Sequence, residues 1–120
     1  MSILKTFHTE SEDETLIVMP QGSVSSLAGD EVSSELDELL ERLERPGPNN
    51  VVVDFEKVSY FGTVMLGAMH AIWKHVREEG GKMVLCNVSD MGREILRVSG
   101  IDVLWPVCAS RQEAIEEVNR

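Results

Sequence analysis

The chain has 120 residues, 42% of them hydrophobic, and a formal charge of −10 from 21 acidic and 11 basic residues. That length suits one compact domain with a sizeable core, and the acidity argues against nucleic acid or an anionic membrane surface as the main partner. No apolar run approaches the roughly 20 residues that cross a bilayer, and the amino terminus has neither a basic start nor a signal-type apolar segment. The expectation is a single domain over residues 1–120, located in the cytoplasm.

In chain order, Ile3 to His8 holds β-tolerant residues, the polar cluster Ser11-Glu12-Asp13 reads as a turn, and Thr15-Leu16-Ile17-Val18-Met19 is an apolar strand. Pro20 and Gly22 end that strand, and Gly22-Ser23-Val24-Ser25-Ser26 is a loop feeding a helix. Val32, Leu36, Leu39, Leu40 and Leu43 then recur on one helical face, with Glu31, Glu35, Glu38 and Glu41 on the other. Pro46-Gly47-Pro48 stops the helix, because proline lacks the N–H and clashes with the preceding turn.

Val51-Val52-Val53-Asp54-Phe55 is apolar without alternation, as in a parallel strand covered on both faces. After the turn Ser59-Tyr60-Phe61-Gly62-Thr63, a helical stripe of Met65, Met69, Ile72 and Val76 runs to the stop at Gly80-Gly81. Lys82 to Val88 is a further buried strand, and Ser89-Asp90 opens a short helix with Met91, Ile95 and Val98 on one side. Val103-Leu104-Trp105 reads as a last strand, and Ser110 caps a final helix with Ala114, Ile115 and Val118 facing inward. Alternating helices and strands behind an amino-terminal antiparallel pair predict an α/β fold with a mostly parallel central sheet and about four helices. The loops at Gly22–Ser26, Ser59–Thr63 and Asn87–Asp90 should then gather at the carboxyl edge, where ligands and partners of such sheets bind.

The residues supply little catalytic chemistry. Gly62 and Gly67 have the spacing of phosphate-loop glycines, but Ala68-Met69 stands where Lys-Ser/Thr would hold phosphate and magnesium. Gly67 instead suggests a tight contact of its helix with the sheet. His8, His70 and His75 share no ligand spacing, and Cys86 and Cys108 read as small reduced core residues, so no metal or cofactor is expected. Asp54 ends a central strand without a second acid, base or nucleophile beside it in sequence, which suits a strand-end or capping role. Thr63 is either an N-cap hydroxyl or a regulatory one, since phosphate there would meet free helix N–H groups. Trp73, on the less apolar side of its helix, suits either burial in a homodimer or partial cover.

The strand pair, the glutamate-rich helix, VVVDFEKVSYFGTVMLG, Gly80-Gly81 before KMVLCNVS, and ILRVSGID together resemble the STAS domain, and more narrowly the bacterial anti-sigma factor antagonists, over nearly the whole chain. The resemblance implies a small α/β domain that binds an anti-sigma factor kinase and is switched off by phosphorylation at the start of the helix after the central strand. The family's usual stretch there is Asp-Ser-(Ser/Thr)-Gly-x-Gly. Here Gly62 replaces the aspartate, Thr63 matches the first hydroxyl, Val64 falls on the phosphorylated position, and Met65 replaces the first glycine; only Thr63, Leu66 and Gly67 keep the pattern.

The combined expectation is a non-enzymatic partner-switching module whose contact residues are Ser23, Ser25, Ser59, Gly62, Thr63, Val64, Met65 and Ser89. Its partner would be an anti-sigma factor or a related kinase-like switch protein. Val64 would leave it permanently unphosphorylated unless Thr63 takes the phosphate. The alternatives are a signalling scaffold, or a domain holding a nucleotide or anionic metabolite at the same helix start.

Overall fold

The structure, a computed structural model, describes residues 6–22, 30–44, 49–101 and 103–120. A five-stranded sheet is built from β1 (Phe7–Glu12), β2 (Thr15–Pro20), β3 (Asn50–Asp54), β4 (Met83–Cys86) and β5 (Val107–Cys108), in the spatial order β1-β2-β3-β4-β5. Only β1 and β2 are antiparallel; β2 through β5 are parallel. The helices are α1 (Asp30–Glu44), α2 (Thr63–Glu78), α3 (Asp90–Val98) and α4 (Arg111–Val118).

Strand side chains alternate between two cores, as the pleat requires. Leu16, Val18, Val51, Val53, Met83 and Leu85 point toward α1, α2 and α3, where they meet Val32, Leu39, Met65, Met69, Ile72 and Leu96. Ile17, Met19, Val52, Val84 and Cys86 point the other way, onto Ala114, Ile115 and Val118 of α4. The unbroken apolar strands follow from this two-sided cover. The stripe on α2 is buried as its period predicts, with Met65, Ala68, Met69, Ile72 and Val76 inside. On α1, Glu35 is half-buried, and its Oε1 accepts from the N–H groups of Thr6 and Phe7 at 2.7 and 3.2 Å, tying the start of β1 to the helix.

Four expectations are corrected. The first strand continues past His8: among the described residues it runs from Phe7 to Glu12, because the chain reverses at Asp13 with φ of 54° and Ser11 and Glu12 stay paired to β2. Ile3 to Lys5 lie outside the described residues, as do Ser23 to Ser26 and the Pro46-Gly47-Pro48 stop. Val103 and Leu104 form a turn, not a strand; the pairing with β4 is made by Val107 and Cys108, and only Trp105 of that apolar run is buried. Helix α3 buries Gly92 and Leu96 and leaves Met91 and Val98 56% and 72% exposed, so the face read from Met91, Ile95 and Val98 is rotated outward. Gly67 lies on the exposed side of α2, where an added Cβ would meet nothing within 4 Å. The tight glycine is Gly81, whose Cβ would fall 1.7 Å from the carbonyl oxygen of Asn49.

Candidate functional site

The carboxyl edge of the parallel strands presents the loop from β3 to α2 and the loop from β4 to α3. In the first, Phe55, Val58 and Phe61 turn inward, and the Phe55 and Phe61 rings stack at 4.7 Å between centroids. These three anchors leave Ser59 and Tyr60 outside. Phe61 also lies against the start of α3, since a Cβ on Gly92 would come within 3.2 Å of its Cε1. Gly92 thus admits the aromatic ring that joins the two loops.

Ser89 completes the junction. Its Oγ accepts from the Gly92 N–H at 2.9 Å as the N-cap of α3, and donates to the Ser59 carbonyl at 2.6 Å. Both capacities of the hydroxyl are used inside the protein, so Ser89 positions the Ser59 loop in addition to capping its helix.

The start of α2 is bare. Its N-cap is Gly62, extended at φ −109° and ψ −161°, with no side-chain cap and no acidic residue in the first turn. The first helical hydrogen bond closes from the Leu66 N–H to the Gly62 carbonyl, which leaves the N–H groups of Thr63, Val64 and Met65 ahead of the ladder. Thr63 is the first helical residue and is exposed, so the N-cap reading of its hydroxyl is corrected: the cap position belongs to Gly62, one residue earlier. Val64 is 36% exposed. Met65 is fully buried in the core, and its place among the contact residues is corrected accordingly. Ser23 and Ser25 lie outside the described residues.

Two features escape the sequence reading. The exposed apolar residues around the junction include Tyr60, at 43%, and Met91, at 56%, in addition to Val64. The second is a charged network beneath the loops. Asp54, 1% exposed, accepts at Oδ1 from the Glu56 N–H at 2.9 Å and from Asn87 Nδ2 at 3.0 Å, and at Oδ2 from Arg111 Nε at 3.0 Å. Arg111 also donates from Nη1 to Glu10 on β1 at 2.7 Å. One carboxylate therefore tethers the beginnings of both edge loops, including Asn87 in its left-handed conformation at φ 54°, to the first residue of α4. Burial opposes the charge of Arg111, but the hydrogen bonds to Asp54 and Glu10 outweigh it and hold the guanidinium pKa above its ordinary value. Burial, reinforced by the Asp54 charge, pushes the neighbouring Cys86 thiol up to about 12. A signal for this network existed in the sequence: Arg111 places a cation at the positive end of a helix, which is unfavourable unless carboxylates hold it there.

No group of three or more His, Cys, Asp or Glu residues among the described residues is arranged to hold a metal ion, and no helix among them is long and apolar enough to cross a membrane.

Comparison with known proteins places this edge in context. The profile of the STAS domain family matches residues 6–114. BtrV of Bordetella bronchiseptica, assigned as an anti-sigma factor antagonist, is 30% identical over 102 residues, which span 85% of this chain and 84% of that protein. The anti-sigma F factor antagonist of Paenibacillus polymyxa is 23% identical over 103 residues, covering 86% of each chain. Among solved structures, an anti-sigma factor antagonist (STAS) domain protein of Planctomyces limnophilus superposes with a TM-score of 0.79 at 25% identity, over 95% of this chain and 98% of that one.

Proposed function

The chain belongs to the STAS domain family and is homologous to anti-sigma factor antagonists, and from that premise we propose that it is a non-catalytic, cytoplasmic module that binds an anti-sigma factor kinase or a related partner-switching protein. The observation that carries the reading is the exposure of Tyr60, Val64 and Met91 on the two segments that the Ser89–Ser59 bridge joins, beside a helix start that no side chain caps. Exposed apolar side chains grouped on a polar surface are the signature of a contact patch. The Ser89 bridge to Ser59 fixes the two loops relative to each other, so little conformational freedom is lost on binding.

Val64 stands where the family resemblance puts the phosphorylated hydroxyl, and valine cannot be phosphorylated. The module therefore acts as a permanently unphosphorylated antagonist, with the exposed Thr63 hydroxyl as the remaining acceptor at this helix start. A nucleotide or anionic metabolite at the same place has less support. The turn from Ser59 to Thr63 contains no cation, and the strand order runs without reversal, so the switch-point crevice that holds nucleotides in doubly wound sheets does not form.

The test is incubation with an anti-sigma factor kinase from the same organism and ATP, followed by capture and phosphosite mapping. The expected result is a complex that persists with ATP and carries no phosphate. Phosphate on Thr63 with release of the complex would restore the switch, and failure to capture the kinase would overturn the reading.

A further inference from the structure

A cavity of about 320 Å³ lies at the end of the domain away from the candidate partner edge, between the second half of α2, the start of β4, the turn after α3, and α4. Trp73, Leu104 and Pro106 give it apolar walls, Arg77 and Lys82 bring two cations to it, and Glu117 stands on its lining. Its size falls in the range of small-molecule sites, which typically begin at about 300 Å³. We propose that this cavity binds a small carboxylate with an apolar body, the carboxylate pairing with Arg77 and the body lying against Trp73, Leu104 and Pro106.

The cations decide the ligand's charge. Arg77 sits over the Trp73 ring at 5.3 Å from its centroid, a cation–π contact that holds the guanidinium at the cavity while leaving its N–H fork open. Among the described residues no carboxylate pairs with it, although the chain carries 21 acidic residues. Arg111 makes the contrast, with Asp54 and Glu10 both bound to it. Lys82 is already engaged, donating from Nζ to the Arg120 carbonyl at 2.9 Å. One open guanidinium fork matches one carboxylate in bidentate geometry. Glu117 and the net charge of −10 disfavour a doubly charged phosphate at the same place.

The walls decide the rest. Leu104 is 43% exposed, and Trp73 is only half-buried, so both offer apolar surface that a ligand would cover. The run Val103-Leu104-Trp105 builds this wall, because forming a turn in place of a strand keeps Leu104 outward while Trp105 enters the core.

Octanoate and phenylacetate, each compared with its neutral alcohol, test the proposal by two-dimensional NMR on the intact protein. Saturable shifts are expected at the Trp73 indole and at the backbone amides of residues 81–84 and 104, with each carboxylate binding at least about tenfold more tightly than its alcohol. Arg77→Gln should weaken the carboxylates about tenfold and leave the alcohols unchanged, and Leu104→Glu should abolish binding while the remaining amide resonances keep their positions. Equal affinity for acid and alcohol, indifference to Arg77→Gln, or shifts outside this cavity would overturn the proposal. So would the absence of any saturable shift.

Discussion

Asp54 and Arg111, 57 residues apart in sequence, meet at 3.0 Å beneath the edge loops, and no other ion pair recorded among the described residues has a buried member. The same guanidinium pairs with Glu10, whose side chain is 50% exposed. The two halves of the network should therefore differ in weight. Removing one partner of a buried pair strands a charge out of water, whereas a solvated pair adds little.

Arg111→Met is expected to destabilise the fold by about 2 kcal/mol, below the ~3–5 kcal/mol typical of fully buried pairs because the Arg111 side chain is 32% exposed. Glu10→Gln should cost less than about 1 kcal/mol. Urea unfolding monitored by circular dichroism measures both. Equal losses would mean that the buried carboxylate is not the centre of the network.

Cys86 gives the fold an alkaline limit. An unfolded thiol loses its proton near its ordinary value of 9.0, while the folded one keeps it to about 12. Between these values the unfolded state binds fewer protons, so the stability associated with the neutral thiol is complete below pH 9 and is lost as the pH rises toward 12. The expected slope reaches about 1.4 kcal/mol per pH unit. Unfolding free energies of wild type and Cys86→Ala, measured across this window, should converge as the pH rises; parallel curves would refute the assignment.

Much of this architecture is legible in the sequence, and the failures share a cause. The stripe on α2 recurs over about three turns, so its period is unambiguous, and the valines of β3 announce a strand covered on both faces. Helix α3 has nine residues, too few to fix a face, and one of its two buried positions is Gly92, which a hydrophobic pattern cannot register. Strand β1 is a polar edge strand, FHTESE, with the charged composition that edge strands use against aberrant pairing and little apolar signal. The Asp54 network joins residues from β1, β3, the loop after β4 and α4, so its geometry exists only after the sheet assembles.

Gly67 and Gly81 should respond oppositely to alanine. Gly67 is inside α2 with open space around it, so Gly67→Ala should stabilise the protein by about 0.8–1 kcal/mol. Gly81→Ala would drive a Cβ into the Asn49 carbonyl and should unfold the domain or displace the start of β4. Thermal melting distinguishes the two. If the partner approaches α2 closely, Gly67→Ala will also weaken its binding despite the added stability, a combination that a purely local effect on the helix would not produce.

Ser89→Ala removes the α3 cap and the bridge to Ser59 together. The loss of the cap alone is expected to cost about 1 kcal/mol. Loosening of the Ser59 loop should add a decrease in partner affinity, measured by calorimetric titration, because the contact patch must then be ordered on binding. Unchanged affinity with reduced stability would confine Ser89 to its capping role.

Val64 offers the sharpest test of the partner edge, because its side chain can be changed in two directions without entering the core. Val64→Glu places a charge in the exposed apolar group and is expected to reduce kinase binding by at least about tenfold while the melting temperature stays near that of wild type. Met65→Glu is not a substitute, since that side chain is fully buried and the charge would disrupt the core. Val64→Ser works through chemistry: it restores a hydroxyl two residues after the N-cap, where phosphate would gain from the unpaired N–H groups of α2. With kinase and ATP, the serine variant should acquire one phosphate and then lose its partner, whereas wild type should remain bound. Val64→Ser that stays unmodified, while Val64→Glu still prevents capture, would keep the contact patch and remove this position from the switch.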